Sequence, residues 1–439
     1  MTAPRADPDL DPLAALLAGR LADPDGGPPL TTSIRAIVIG DHLADDAAAR
    51  LDALGLGRRM AVLADVDTAA ALGDRVARAL AGRGPVQAVT LGRRPHADDD
   101  TAARLDATID AGTDVVVSVG SGTLTDLGKL LAFRRGLAHV AFATAPSMNG
   151  YASVAASITS AGLKRSLRVA APTMVLLDTA VLAAAPARLI RAGLGDSLCR
   201  PTAQTDWLLA HRLLDRPYRT APFALLAADE AALFAEPAAL LAGDRAAMRH
   251  LARTLVLSGC GMTICGGSYP ASQGEHLLSH HVEAVAPVAH DQAPLHGEQI
   301  AVTTLTMARL QHALLAADRP PRLRASTITP ADLIAHFGAD RGPACWRELV
   351  PKLVDHAGAE ARTARLAAIW DDLRAAIAAI AIDPTRLRAI LVAAGAPTAP
   401  ADLGWSPRLV DDGLRFARAL RDRYTFLDLA ADAQQPPHG

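Results

Sequence analysis

VVVSVGSGTLTDLGK, residues 115–129, passes from an unbroken apolar run through Gly120-Ser121-Gly122 into a segment with helical spacing. Glycines at such a junction let the backbone approach a ligand closely, and the amides that open a helix favour an anion such as a pyrophosphate. The same strand, Gly-x-Gly, helix pattern also serves as an ordinary tight turn, so alone it leaves the two readings even. It departs from the first-turn dinucleotide fingerprint, because at least two strand–helix units precede it and no third glycine follows at the required spacing.

Working outward, similar apolar runs recur at 36–40, 60–64, 87–91, 114–120 and 139–143, with Ala-rich helical windows between them. Continuous apolar strands alternating with helices predict a parallel sheet covered on both faces. The expected α/β domain spans 31–190, after an irregular arm over 1–30 that ends at Gly26-Gly-Pro-Pro29. Beyond Pro186 the strand signals nearly vanish, and Ala, Leu and Arg recur at helical spacing, so 191–439 is expected to be an all-helical domain.

The chain has 439 residues, half of them hydrophobic but only 3% aromatic, so Ala, Leu and Val must fill the interior. With 44 basic and 46 acidic residues interspersed, nothing marks a nucleic-acid or anionic-membrane surface, and a small-molecule substrate is the partner expected. Self-association into a homo-oligomer stays open. Cys199, Cys260, Cys265 and Cys345 follow neither a zinc-ribbon nor a disulfide pattern, and no signal peptide is legible at the N-terminus, so a cytoplasmic setting is expected. The apolar stretch at 366–382 is interrupted by Asp371, Asp372 and Arg374, which suits an amphipathic helix better than a membrane span.

Two segments carry the chemistry. AGLGDSLCRPTAQTDW, 192–207, offers Asp196 at an expected helix start, and GEHLLSHHVEAVAPVAHDQAPLHGEQIAV, 274–302, offers His276, His280 and His296. One carboxylate and two imidazoles suit a divalent ion that keeps an open coordination position. His276 and His280 are four residues apart and share a helix face, so either is a candidate ligand. No Glu stands between them, which sets aside a metalloprotease helix. His281 is read as facing away and His290 as a loop residue; for any single histidine here a surface or capping role is the commoner one. Asp65, closing the run at 60–64, is either a ribose-binding acid or a helix N-cap. Thr144-Ala145-Pro146-Ser147 follows another strand, where doubly wound sheets bind ligands.

Taken together, GSGTLTD at 120–126, TAPSMNGYAS at 144–153, the Gly162-x-Lys164 turn, AGLGD at 192–196, GEH at 274–276 and HGEQ at 296–299 resemble the sn-glycerol-1-phosphate dehydrogenases. That family lies within the group of iron-containing alcohol dehydrogenases and dehydroquinate synthases. The resemblance spans about Ile34 to Leu310 and implies a Rossmann-like domain followed by a helical one, in a dehydroquinate synthase-like arrangement. It implies NAD(P)H contacts from Asp65, Gly120, Ser121, Gly122, Thr123, Leu124, Thr125, Asp126, Thr144, Ala145, Pro146, Ser147 and Ser153. It also implies one divalent ion, Zn²⁺ first and Ni²⁺ or Fe²⁺ as alternatives, on Asp196, His276 and His296. Asn149, Lys164, Asp196 and His280 would meet the substrate, with Asp196 and His280 catalytic.

The implied reaction interconverts dihydroxyacetone phosphate and sn-glycerol 1-phosphate by hydride transfer. Members of the family usually carry Asp where Asn149 stands. The loss of that charge keeps open a related dehydrogenase of another polyol or alcohol. A sugar-phosphate cyclase and a binding protein that has kept the fold are the other readings.

Overall fold

The computed structural model describes residues 11–160, 163–288 and 293–433. Eight strands form, β1 (Ala36–Gly40), β2 (Met60–Asp65), β3 (Val86–Leu91), β4 (Val115–Gly120), β5 (Ala138–Ala143), β6 (Ala155–Ser160), β7 (Leu163–Arg168) and β8 (Met174–Asp178). The first five match the apolar runs to within one residue at each end. Six of the eight make a sheet in the order β1-β8-β5-β4-β2-β3, parallel throughout.

Period-two alternation distributes the strand side chains between the two faces. Met60, Val62, Val115, Val117 and Val119 pack on one face with Leu51, Val76 and Leu80 from the helices Ala47–Ala53 and Asp74–Ala81. Ala61, Leu63 and Val116 face the other way, against Leu105 of the helix Asp99–Thr108 and Leu124, Leu127 and Leu131 of the helix Gly122–Arg135. Every residue of β4 is buried. Each such valine contributes about 1.5–3 kcal/mol relative to an exposed one, which is why this strand reads as an unbroken apolar run.

Three strands lay outside the sequence expectation. β6 and β7 pair antiparallel as a separate hairpin whose residues are largely polar, so they carry no apolar signature. β8 is short and runs directly into the helix Thr179–Ala183.

Two compact units divide the chain. One runs through Ser197 and includes Thr220–Gly267; the other comprises Leu198–Arg219 and the residues from Ser268 onward. Residues 220–267, helical by periodicity, join the sheet because the helix Arg245–Ile264 packs on β1, on the helix Thr179–Ala183 and on the turn Gly150–Ala152. The second unit is helical apart from a bridge between Leu323 and Ala433 among the described residues, and one of its core clusters joins Leu209, Leu277, Trp370, Leu373, Phe426 and Leu427. No helix among the described residues is long and apolar enough to cross a membrane.

Candidate active site

The sheet order places a reversal between β2 and β4. From β2 the chain steps outward to β3, then returns to the other side for β4, β5 and β8. Ligands of parallel sheets bind beyond the carboxyl ends of strands at such a reversal. Here those ends are Asp65 on β2 and Gly120 on β4. Gly120 is forced by the turn itself, since a Cβ there would lie 2.6 Å from Leu124 Cβ. The following helix opens at Gly122 without a side-chain cap from Ser121. The helices opening after Asp65, Asp98, Asp178 and Asp244 are all capped by a side chain. An uncapped helix start is suited to an anion.

Two acids of the sequence reading have structural employment. The Asp65 carboxylate accepts the amides of Asp67 and Thr68 at 2.9 and 2.8 Å, so the N-cap alternative is realised. Asp126 pairs with the buried Lys129 at 2.9 Å and accepts the Ser157 amide at 3.1 Å. Lys129 also donates to the carbonyls of Gly150, at 3.0 Å, and Ala155. It thereby pins the turn that carries Asn149 and Ser153.

The stretch Thr144–Ser153 is wedged from several sides. The Thr144 amide donates to the Gly120 carbonyl at 3.1 Å, and the buried Tyr151 hydroxyl donates to the Ala145 carbonyl at 2.6 Å. Two helix glycines press on its backbone. A Cβ on Gly193 would lie 2.8 Å from the Pro146 carbonyl carbon and closer still to its oxygen, and one on Gly259 would lie 2.6 Å from the Asn149 carbonyl oxygen. That approach lets the Asn149 amide donate to Asp196 Oδ2 at 2.8 Å, while the Asn149 side-chain amide lies 3.5 Å from Ser258 Oγ.

Asp196 is buried near the end of the helix Ala187–Leu198, not at the start of the helix Arg200–Leu214 that carries Asp206 and Trp207. The chain breaks its helix between Leu198 and Arg200, with Pro201 in the first turn of the next. His276 and His280 do share a face of the helix Gly274–Val285, and His296 opens the helix His296–Leu315. The ring centroids of His276 and His296 are 5.1 Å apart; His280 is 6.1 Å from the first and 6.0 Å from the second. One ligand atom each from Asp196, His276 and His296 lies within 4.8 Å of the others. That is a spacing a single ion of bond length about 2 Å spans with small adjustment.

The chemistry of His276 also fits an ion. Burial, then the nearby charge of His280 and Arg423, hold the His276 imidazole well below its usual pKa, hence neutral and able to ligate. Its Nδ1 meets Glu275 Oε1 at 2.8 Å, which leaves Nε2 for a ligand bond. His280 Nδ1 is 3.2 Å from Glu283 Oε2. Gln299 ties the two helices, accepting from Ser279 Oγ at 3.0 Å and donating to the Pro294 carbonyl at 3.2 Å. His281 faces elsewhere, 2.8 Å from His336.

Behind the histidines lies a buried pair of acids that sequence reasoning passed over. Asp206 accepts the amides of Gly274 and Phe426, both at 2.9 Å, and the Gln311 side-chain amide at 3.1 Å. Burial, and then the charge of Glu275, push its pKa up to about 7; burial likewise pushes Glu275 up to about 7. Only Glu275, within the GEH stretch, carried a local signal. Lys164 pairs by backbone with Thr159 in the β6–β7 hairpin. Residues 161–162 of its turn and His290 lie outside the described residues.

Residues 38–186 match the family described as iron-containing alcohol dehydrogenase. The chain is 30% identical over 276 residues to the glycerol-1-phosphate dehydrogenase [NAD(P)+] of Thermococcus kodakarensis, covering 63% of this chain and 77% of that one. To the enzyme of the same name from Bacillus velezensis it is 30% identical over 321 residues, 72% of this chain and 70% of that one. The crystal structure of glycerol dehydrogenase from Schizosaccharomyces pombe shares the fold, with a TM-score of 0.63 over 94% of this chain and 90% of that one at 17% identity. With a parallel sheet reversed at β2 and β4 and relatives of this coverage, the chain belongs to the glycerol-1-phosphate dehydrogenase family of iron-containing alcohol dehydrogenases.

Proposed function

We propose that this oxidoreductase interconverts dihydroxyacetone phosphate and glycerol 1-phosphate with NAD(P)H and one divalent ion, Zn²⁺ first and Ni²⁺ or Fe²⁺ as alternatives. The observation that carries the reading is the convergence of Asp196, His276 and His296 to within 4.8 Å. In this proposal those three hold the ion, with Asp196 steadied through Oδ2 by the Asn149 amide. Gly120 through Asp126, Thr144 through Ser147, Ser153 and Asp65 border the dinucleotide. The uncapped helix start at Gly122 supports a pyrophosphate there.

When bound, the ion supplies Lewis-acid polarisation of a carbonyl and the reduced nicotinamide supplies hydride. The chain's part is positioning and proton transfer. His280 delivers a proton from Nε2 to the substrate oxygen during reduction and takes it back during oxidation, while Glu283 steadies Nδ1. Asn149 orients the substrate as a neutral hydrogen-bonding group, and Lys164 is a further candidate contact. None of the four cysteines is in a disulfide, in keeping with the reducing, cytoplasmic setting proposed.

The test is NAD(P)H oxidation on dihydroxyacetone phosphate with chiral analysis of the product, using protein stripped of metal and reloaded with Zn²⁺, Ni²⁺ or Fe²⁺. Ion-dependent formation of one glycerol phosphate enantiomer is expected. No turnover with any ion overturns the reading, and phosphate release without net cofactor oxidation replaces it with a cyclase. Asn149 favours a second reading, in which another polyol or its ketone is the substrate. A substrate panel preferring that compound over dihydroxyacetone phosphate selects it.

A further inference from the structure

The helix Gly274–Val285, which carries His276 and His280, starts without a side-chain cap from Gln273, whose side-chain amide donates to the Tyr269 carbonyl at 2.8 Å instead. A buried helix start leaves amides that need acceptors. Two acids supply them. Glu275 Oε1 accepts the Gln273 amide at 2.9 Å, and Asp206 Oδ2, from 68 residues earlier in the chain, accepts the Gly274 amide at 2.9 Å. Gly274 permits that approach, since a Cβ there would lie 2.7 Å from Asp206 Oδ2.

Asp206 is fully buried on the helix Arg200–Leu214, and its other oxygen is committed as well. Oδ1 accepts the Phe426 amide at 2.9 Å, where the helix Phe426–Asp432 begins, and the Gln311 side-chain amide at 3.1 Å. Gln311 lies on the helix His296–Leu315 and also donates to the Thr202 carbonyl at 3.0 Å. One carboxylate therefore joins four helices, two of which carry His276 and His296. Those two pack on each other directly and are tied again where Ser279 Oγ donates to Gln299 Oε1 at 3.0 Å. His276 stands on the stretch between the ties at Gly274 and Ser279, so a shift of its ring along the helix axis must break one of them.

We infer that Asp206 is a positioning residue of the ion site, which fixes where His276 is presented relative to His296 by clamping the helices that carry them. This rests on the proposed ion site and extends it beyond Glu275, whose Oε1 meets both the Gln273 amide and His276 Nδ1. A carboxylate accepting backbone amides holds them more firmly than a neutral acceptor does. Groups that orient a metal-binding histidine change metal affinity about 10- to 100-fold, and Asp206, acting through the helix backbone, belongs at the lower end.

The experiment uses wild type, Asp206→Ala, Asp206→Asn and, as a core truncation away from the clamp, Leu349→Ala in the cluster of Phe337, Cys345 and Phe416. It measures Zn²⁺ affinity by chelator competition and the visible absorption of the Co²⁺-loaded protein, which reports ligand geometry. Asp206→Ala should lower Zn²⁺ affinity about tenfold and shift the Co²⁺ bands, with Asp206→Asn intermediate because its amide keeps one acceptor and Leu349→Ala close to wild type. Wild-type affinity and bands in both Asp206 variants overturn the inference, and an equal loss in Leu349→Ala overturns it as a general effect of stability. Wild type that binds the ion but does not turn over overturns the proposed reaction and leaves the inference standing. If wild type binds no ion, the ion site itself is refuted and the positioning role falls with it, whereas hydrogen exchange across 274–285 still separates the clamp: faster exchange in Asp206→Asn than in Leu349→Ala supports it and equal exchange refutes it. Asp206→Asn decides by the same measurements if Asp206→Ala does not fold.

Discussion

Replacing Gly193 by Ala separates local propensity from tertiary packing with opposite signs. Gly193 lies within the helix Ala187–Leu198, where Ala is favoured over Gly by about 1 kcal/mol on propensity alone. The structure demands the reverse. The added methyl would sit 2.8 Å from the Pro146 carbonyl carbon, nearer still to its oxygen, and 3.5 Å from Leu255 Cδ1. Backbone cannot swing aside like a flexible side chain, so helix and loop must part. Overpacking of this kind costs about 1–3 kcal/mol, with the upper end expected for a backbone collision.

The same displacement has a functional reading. Gly193 and Asp196 share the helix, and Pro146 and Asn149 share the loop, so parting them stretches the 2.8 Å bond from the Asn149 amide to Asp196 Oδ2. Urea unfolding should show Gly193→Ala less stable than wild type, and chelator competition should show weaker binding of Zn²⁺. Gly82→Ala is the control, because its φ is −69° and nothing lies within 4 Å of the added carbon. A Gly193→Ala protein at least as stable as wild type, with unaltered metal affinity, would refute the argument.

Three further outcomes are expected. Glu275→Gln keeps the size of the group on His276 Nδ1 but removes its charge, and should reduce Zn²⁺ affinity about 10- to 100-fold in chelator competition; equal affinities would show that Glu275 does not tune the ligand. Asp206 has its folded pKa raised from 3.8 to about 7, so its contribution is fully present below 3.8 and is lost as pH rises through about 7. The stability of wild type relative to Asp206→Asn, followed by urea unfolding, should accordingly fall across that window, and a rise with pH would contradict the assigned sign. Lys129→Met leaves Asp126 unpaired and frees the Gly150 carbonyl, for a loss of about 3–5 kcal/mol and a higher KM for NAD(P)H or substrate; destabilisation with unchanged KM values would deny the turn a part in the site.

Much of the fold was legible because its determinants are local. β2, β4 and β5 are the apolar runs that parallel strands buried on two faces must be, the edge strands β1 and β3 keep enough apolar residues to be read, and the helix pair His276 and His280 follows from spacing alone. The polar β6–β7 hairpin has no such signature, since its strands lie outside the six-stranded sheet. Asp196 was recognised as a donor but assigned to the wrong helix end, because Cys199 interrupts what periodicity reads as a continuous run. At the site, Asp65 had two even readings and the N-cap bonds settle what its carboxylate does in this structure.

What the sequence by itself determined is therefore the alternation of strands and helices, the glycine turn at 120–122 and the candidate donors Asp196, His276, His280 and His296, each read from residues within a few positions of one another. Tertiary structure alone decided that Gly193 and Gly259 are contact points for a loop and that Glu275 stands behind His276 with Asp206 beyond it. The physical reason is range. Propensity and periodicity act over one or two turns of chain, whereas close backbone approach and desolvation depend on residues brought together from distant positions.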